Sequence, residues 1–236
     1  NDGWLDLVIP QVSSDRSFIL WGGPDGFSMD RKQMLSVRHA GGAQGADLSG
    51  NGYPDLIIGG GTASLTGPHS SHVYIYWNGP EGLREDRRTL LPANGASTFG
   101  IADFNHTGTL DLMMACYHGP GVRDIDSYIY WNRPGKGFSD GDRYRFFTHS
   151  AIGTTIADFN EDGWVDMAVG YHKIEGDHVG NSAVFWNGPD GFDERNITEL
   201  PTLGPHGMVF VSPGNILDRG PEEHFTSAPQ ELPPDG

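Results

Sequence analysis

In the stretch ADFNEDGWVDMAVG, residues 157–170, Asp158, Asn160, Asp162 and Asp166 stand at positions 1, 3, 5 and 9 of a polar segment that runs into an apolar one. Every one of these side chains is an oxygen donor, three are anionic, and Trp164 at position 7 adds a backbone carbonyl. Hard cations take such donors, and an all-oxygen set with several carboxylates selects Ca2+ over zinc or copper. Gly163, just after position 5, permits the sharp reversal that gathers positions 1 to 5 and 9 around one point. Alternate residues point inward, which places the donors on odd positions.

Nearly the same string recurs as ADLSGNGYPDLIIGGG from Ala46 and ADFNHTGTLDLMMACYHG from Ala102, and NDGWLDLVIP at residues 1–10 repeats its second half. The candidate ligands are therefore Asp103, Asn105, Thr107, Thr109 (through its carbonyl) and Asp111 in one copy. In another they are Asp47, Ser49, Asn51, Tyr53 (through its carbonyl) and Asp55, and Asp2 and Asp6 remain of the first. Affinity should follow the number of anionic ligands, so the 158–166 loop is expected to bind tightest and the 47–55 loop weakest. The spacing is that of the first half of an EF-hand loop, but it ends on Asp at position 9 and is flanked by strand-like runs, which excludes that motif. The competing reading is that Asp and Asn make Asx-turns in tight connections.

The elements that must position these loops are themselves repeated. The last Asp of each copy falls at residues 6, 55, 111 and 166, at spacings of 49, 56 and 55 residues. A second string keeps the same step: FILWGGPDGF, YIYWNGPEGL, YIYWNRPGKGF and VFWNGPDGF. Two unrelated strings locked in one register define an internal repeat in the size range of propeller blades. Within each unit a short apolar strand enters the acidic loop and a second leaves it. An aromatic strand ending in Trp then leads into a Gly-Pro turn, and a weaker fourth strand follows. No segment longer than a turn carries helical periodicity. The expected fold is all-β, a β-propeller of four-stranded blades with about four blades present.

On FGIADFNHTGTLDL, IGTTIADFNEDGWVDMAVG and GADLSGNGYPDLIIGG, the chain resembles the FG-GAP/VCBS repeat family, the propellers of integrin α-subunit heads and many bacterial surface proteins. The resemblance covers residues 1 to 212, in units of about 1–46, 47–102, 103–157 and 158–212. It leaves 213–236 as a degenerate start of a further blade or a linker. It implies a ring of about seven blades, which at this period takes about 380 residues. The chain is accordingly expected to be a fragment that meets further blades of the same parent chain. A closed four-blade ring is the alternative, with HGMVFV (206–211) supplying the missing inner strand of the first unit.

Acidic residues outnumber basic ones by 31 to 15, a formal charge of −16, which argues against nucleic-acid binding and against adhesion to anionic membranes. No apolar run approaches a membrane span, and no signal-peptide pattern is visible. The single cysteine, Cys116, lies in an apolar run and reads as a small buried hydrophobe.

Trp21, Trp77, Trp131 and Trp186 hold one repeated position, where packing of blade on blade is the favoured role and stacking on sugars the other. Trp4 and Trp164 are read as partly exposed covers of the acidic loops. His118 and His172 follow second strands, each after a tyrosine (Tyr117, Tyr171), and His39, His149 and His206 precede first strands. All are thereby assigned to the face away from the acidic loops.

The functional expectation is a calcium-stabilised propeller outside the cell, at its surface or in the periplasm, binding a glycan or protein partner. Two alternatives stay open. One is a polysaccharide-lyase-type scaffold in which Tyr117, His118, His149, Tyr171, His172 and His206 supply acid–base groups. The other is a lectin with one sugar site per blade.

Overall fold

The computed structural model describes residues 2–61, 70–119, 121–175 and 177–209. Its strands form four antiparallel meanders, each paired in chain order. The first holds β1 (Leu7–Ile9), β2 (Ser17–Leu20) and β3 (Lys32–Leu35). The second holds β4 (Gly42–Ala46), β5 (Asp55–Gly59), β6 (Ser70–Tyr76) and β7 (Arg88–Asn94). The third is β8 (Thr98–Ala102), β9 (Asp111–Ala115), β10 (Asp124–Tyr130) and β11 (Arg143–His149). The fourth is β12 (Ala151–Ala157), β13 (Asp166–Tyr171), β14 (Val179–Phe185) and β15 (Ile197–Leu203). Among the described residues the one helical element is a 3-10 turn at Met29–Arg31.

Each four-stranded sheet opens with the strand entering an acidic loop, and the loop delivers the chain into the second strand. The first sheet has three strands, with β1 in the place that β5, β9 and β13 hold in the others. Segment 213–236 and the Phe210–Val211 end of HGMVFV lie outside the described residues.

The second strands explain how the sheets stack. β5, β9 and β13 are buried along their whole length, as expected for strands covered on both faces. Their side chains alternate between two cores. Leu112 and Met114 of β9 pack with Ile57, Val73 and Leu91 of the second sheet, whereas Met113 and Ala115 pack with Met167, Val169 and Ala183 of the fourth. A third cluster joins Ile19, Leu35 and Val37 to Leu56, Ile58 and Tyr76, linking the first and second sheets. The core is thus a set of layers between consecutive sheets, the arrangement of neighbouring blades.

Glycines set the closeness of that stacking. Gly42 and Gly59 are register partners in β4 and β5, and the backbone oxygens of Ser97 and Ala96 lie against them. Gly153 and Gly170 are paired in the same way in β12 and β13, with Pro205, Gly207 and Met208 against them. Residues 205–208 therefore sit on the fourth sheet as residues 96–97 sit on the second.

Among the described residues β1 pairs with β2 alone. Beside it Trp4, Leu5 and Leu7 are 49%, 88% and 44% exposed. A groove of about 780 Å³ runs between this sheet and the second, lined among others by Val8, Ile19, Trp21, Leu56 and Leu83. An open strand edge next to exposed apolar groups promotes pairing with another copy. Light scattering should show mass rising with concentration, and Leu7→Lys should suppress the rise. A 25.6 kDa monomer at every concentration would refute this.

Candidate functional site

The three complete acidic loops share one backbone path. Position 4 is left-handed in each (Gly50 φ 68°, His106 φ 55°, Glu161 φ 60°), as is the glycine at position 6 (Gly52 φ 84°, Gly108 φ 82°, Gly163 φ 92°). The position-1 carboxylate explains the path, because it accepts from the backbone N–H groups of positions 5 and 6. Asp47 accepts from Asn51 and Gly52 at 3.0 and 2.8 Å, and Asp103 from Thr107 and Gly108 at 2.9 and 2.8 Å. Asp158 accepts from Asp162 and Gly163 at 3.0 and 2.8 Å.

The position-9 carboxylates differ in kind. Asp55, Asp111 and Asp166 are 1%, 0% and 0% exposed. Each accepts from a loop N–H and from the N–H of the residue after the repeated Trp. Asp111 takes Phe104 at 3.2 Å and Asn132 at 2.8 Å, Asp166 takes Phe159 at 3.0 Å and Asn187 at 2.8 Å, and Asp55 takes Ser49 at 3.1 Å and Asn78 at 2.7 Å. In the first sheet Asp6 accepts from Gly22 at 2.9 Å, while Asp2 accepts from Trp4 within its own turn. Burial pushes the Asp111 carboxyl up to about 6 against the pull of its two N–H donors, with Asp103 adding repulsion, and burial raises Asp55 and Asp166 likewise.

The asparagines after the Trp residues carry a role that the sequence reading passed over. Asn132 Nδ2 donates to Leu48 O of the preceding loop at 2.9 Å and to Leu110 O at 3.0 Å. Asn187 Nδ2 donates to Phe104 O at 2.9 Å and to Val165 O at 3.2 Å. Each ties its own sheet to the acidic loop of the sheet before. The signal was present as the repeated Trp-Asn pair, at 77–78, 131–132 and 186–187.

Whether these residues suit a cation can be read from their oxygens. A carboxylate has about four acceptor positions, so the two N–H bonds at Asp103 or Asp158 leave capacity over. Asn105 Oδ1 is buried and receives no hydrogen bond. In the 158–166 loop Asn160 Oδ1 accepts from Asp162 N at 3.1 Å and Asp162 Oδ1 from Trp164 N at 2.9 Å, both contacts of the Asx-turn type, and Asn160 Nδ2 donates to Asp162 Oδ2 at 3.0 Å. Thr107 and Thr109 share a hydroxyl hydrogen bond of 2.9 Å, and Tyr53 N donates to Asn51 Oδ1 at 2.8 Å. Among the described residues no three His, Cys, Asp or Glu side chains stand ready around a metal ion. His106 lies flat on Trp164 at 4.0 Å, so the loops of the third and fourth sheets touch.

Aromatic and imidazole groups gather at the other end of the strands. The Tyr117 ring lies 4.9 Å from His118 and 5.8 Å from His172, and His172 lies 4.4 Å from His206. Four of the sequence candidates are thereby brought together. Two neighbours were missed: His178, 4.5 Å from His172, and Arg123, 5.1 Å over the Tyr117 ring. Burial, followed by the neighbouring histidines and Lys173, holds His172 below the usual imidazole range, against a hydrogen bond to the Gly204 backbone.

His149 and Tyr171 face each other at 5.2 Å in a separate lateral groove of about 440 Å³ with Phe147, Phe185, Glu194 and Glu199. There His149 Nδ1 meets Asp124 Oδ1 at 2.6 Å. His39 lies elsewhere, hydrogen-bonded through Nδ1 to Val12 O at 2.8 Å. Cys116 is buried, and burial pushes its thiol up to about 12.

The tryptophans lie half-buried. Trp77 stacks on Phe138 of the next sheet at 6.1 Å, Trp131 packs into the cluster between the third and fourth sheets, and Trp77 and Trp186 donate through Nε1 to Thr89 and Thr198 at 2.9 Å.

Stacked four-stranded meanders, each carrying the same acidic loop between its first two strands, define an all-β repeat protein. A model of the FG-GAP-like repeat matches residues 47–114, from the first Asp of one acidic loop into the strand after the next, so the chain carries FG-GAP-like repeat sequence. No curated protein matches the chain. Among the described residues no helix is long and apolar enough to cross a membrane.

Proposed function

We propose that the sheets are blades of a β-propeller and that the chain is a calcium-stabilised module binding a glycan or protein partner outside the cell. One observation carries the calcium reading. Three loops in register present oxygen donors on a common left-handed path, and the buried Asn105 Oδ1 has no hydrogen-bond donor facing it. Asp158, Asn160, Asp162 and the Trp164 carbonyl would hold the ion in the fourth sheet, with Asp166 beneath them. A cation there would offset the burial of ionised Asp166 and its repulsion by Asp162 and Asp158. Sites of this kind, with few anionic ligands, fill where Ca2+ is abundant, which motivates the extracellular placement.

Calcium should raise the melting temperature and a chelator should lower it. Ligand binding to the folded state alone adds about 2.7 kcal/mol at a hundredfold excess over Kd. Asp158→Ala should remove most of that gain and Asp47→Ala little. An unchanged melting temperature in chelator would sink the calcium reading, and equal effects of the two variants would show that anionic ligand count does not set affinity.

For the partner, the best-supported surface is the Tyr117–His118–His172–His206 end, where aromatic and imidazole groups of two sheets converge. The same convergence supports a second reading, a lyase-type active site with Tyr117 and a histidine as acid and base. Release of unsaturated sugar from an acidic polysaccharide, lost in Tyr117→Phe, would favour the enzyme over the binding module. The half-buried, hydrogen-bonded tryptophans support a packing role and lend the lectin reading nothing.

A further inference from the structure

The lateral groove between the third and fourth sheets breaks a pattern that the two earlier seams share. In β6 and β10 the string Tyr-Ile-Tyr sets Tyr74 with Tyr76, and Tyr128 with Tyr130, on one face of a strand. The register partner of the second tyrosine is an arginine in both, Arg88 opposite Tyr76 and Arg143 opposite Tyr130. Arg88 lies 5.5 and 5.7 Å over the Tyr74 and Tyr76 rings, and Arg143 lies 4.5 and 5.4 Å over Tyr128 and Tyr130. An acid three residues earlier holds each guanidinium, Glu85 at 2.6 Å from Arg88 and Asp140 at 2.6 Å from Arg143. These groups reach across to the preceding sheet, where Arg88 donates to Ser36 O at 3.1 Å and the Tyr130 hydroxyl to Pro92 O at 2.9 Å. An arginine stacked on aromatic rings and paired with a carboxylate thus fills the seam twice.

In the fourth sheet the acid is kept and the arginine is not. Phe185 faces Ile197 at the register of the Tyr–Arg pairs, Ala183 stands where Tyr74 and Tyr128 stand, and Glu194 precedes Ile197 by three residues. With a phenol ring and a guanidinium missing, a groove of about 440 Å³ remains, and neither Lys nor Arg is among its lining residues. Glu194 Oε1 accepts from Phe147 N at 3.0 Å, as Glu85 Oε1 accepts from Ser36 N at 2.7 Å. Glu194 Oε2 corresponds to the oxygen of Glu85 that holds Arg88, and it has no hydrogen bond or ion pair among the described residues.

Tyr171 supplies an independent sign. It lines the groove and is 8% exposed, yet its hydroxyl bonds to none of the described residues. Burial, followed by Glu194 and Glu199, pushes this phenol well above its ordinary range. It therefore stays neutral and is able to accept from a guanidinium, as the Tyr76 hydroxyl accepts from Arg88 at 3.0 Å.

We propose that the groove is the docking site for an arginine side chain of a protein partner, which takes the place that Arg88 and Arg143 hold in the earlier seams. Glu194 Oε2 pairs with the guanidinium, the Tyr171 hydroxyl accepts a further N–H, and the apolar stem lies along Phe185 and Ile197. Lysine suits the site less, because a compact ammonium lacks the planar fork that covers a ring while bonding acceptors in fixed directions. The formal charge of −16 favours approach of cationic segments. This surface is separate from the histidine end, and it does not depend on the calcium reading.

Titration of the whole chain with acetylated, amidated Gly-Arg-Gly at millimolar concentration, followed by methyl NMR, tests this. Shifts should appear at Ala183, Ile174 and Ile197. The citrulline peptide, which keeps the shape and loses the charge, should produce none at the same concentration, and the lysine peptide should bind more weakly. Glu194→Gln, at an exposed position, should weaken arginine binding about fivefold, the upper end for an exposed ion pair. Ile197→Arg restores the internal arginine of the other sheets and should abolish binding of the peptide. Equal binding of the citrulline or lysine peptide, shifts confined to other regions, or binding unchanged in both variants would overturn the proposal. Self-association removed by Ile197→Arg but not by Leu7→Lys would assign the groove to a second copy of this chain and overturn the separate partner.

Discussion

Asp111→Ala should cost the protein about 3 kcal/mol of stability, far more than removal of any acid on the rim of the same loop. The carboxylate is fully buried and accepts from Phe104 N and Asn132 N. Alanine strands both donors where water cannot reach them, and each buried unsatisfied donor costs about 1–3 kcal/mol. Some of that loss is returned, because burying the ionised group is itself unfavourable, as its carboxyl pushed up to about 6 shows.

Asn132 is the hinge of the loss. Its N–H bonds Asp111 while its side chain holds Leu48 O of the preceding loop, so freeing one bond loosens the junction between two sheets. By contrast Asp158 and its N–H partners lie in an exposed loop, where water can replace the lost acceptor, and Asp158→Ala in calcium-free buffer should cost about 1 kcal/mol or less. Urea denaturation of both variants measures the difference as a shift in midpoint at unchanged slope. If Asp111→Ala lies within about 0.5 kcal/mol of Asp158→Ala, the two carboxylates are equivalent and the buried one is not a structural lock.

That contrast marks where the sequence stopped being readable. The repeat was legible because two strings recur in one register, and strand assignment followed from the apolar runs between Gly-Pro turns. Asp111 and Asp158 look alike as letters in a motif, but one lies under the neighbouring sheet and the other faces water. Only the partner at Asn132, 21 residues onward, tells them apart. The histidine end shows the same limit. His178 lies in the variable loop between β13 and β14, outside both repeated strings, yet stands 4.5 Å from His172, and the turn at Gly204 after β15 brings in His206 with no local pattern to announce it. Tyr117 and Tyr171 each precede a histidine in sequence, yet Tyr171 follows Asp166 by five residues and Tyr117 follows Asp111 by six, so Tyr171 holds the place of Cys116 and faces the lateral groove with His149 while Tyr117 joins the cluster.

Close approach between sheets yields the other large effect. Gly59→Ala would place a Cβ 1.8 Å from Ala96 O, 2.9 Å from Ala96 C and 3.1 Å from Phe99 Cζ. The first two are backbone atoms, so no rotamer change relieves the clash. The backbone cannot recede either, since Ala96 is 1% exposed within the core between the second and third sheets, and Ser97 O stands equally close to Gly42, the register partner of Gly59. Overpacking of a dense core costs about 1–3 kcal/mol when side chains can adjust, and a fixed backbone puts this case at about 3 kcal/mol or more.

Gly170 is the control, because it holds the matching register position in the fourth sheet, opposite Gly153. There the nearest atoms to an added Cβ are Met208 Sδ and Pro205 Cγ, both at 3.3 Å, and a methionine side chain yields readily. Gly170→Ala should therefore cost about 1 kcal/mol or less. The third sheet already carries Ala115 opposite Thr98, so the repeat accepts a methyl group where the following chain stands off. Thermal and urea unfolding of the two variants settle the matter: equal destabilisation would mean that the sheets are not seated on glycine, and that their spacing is set by the side-chain layers alone.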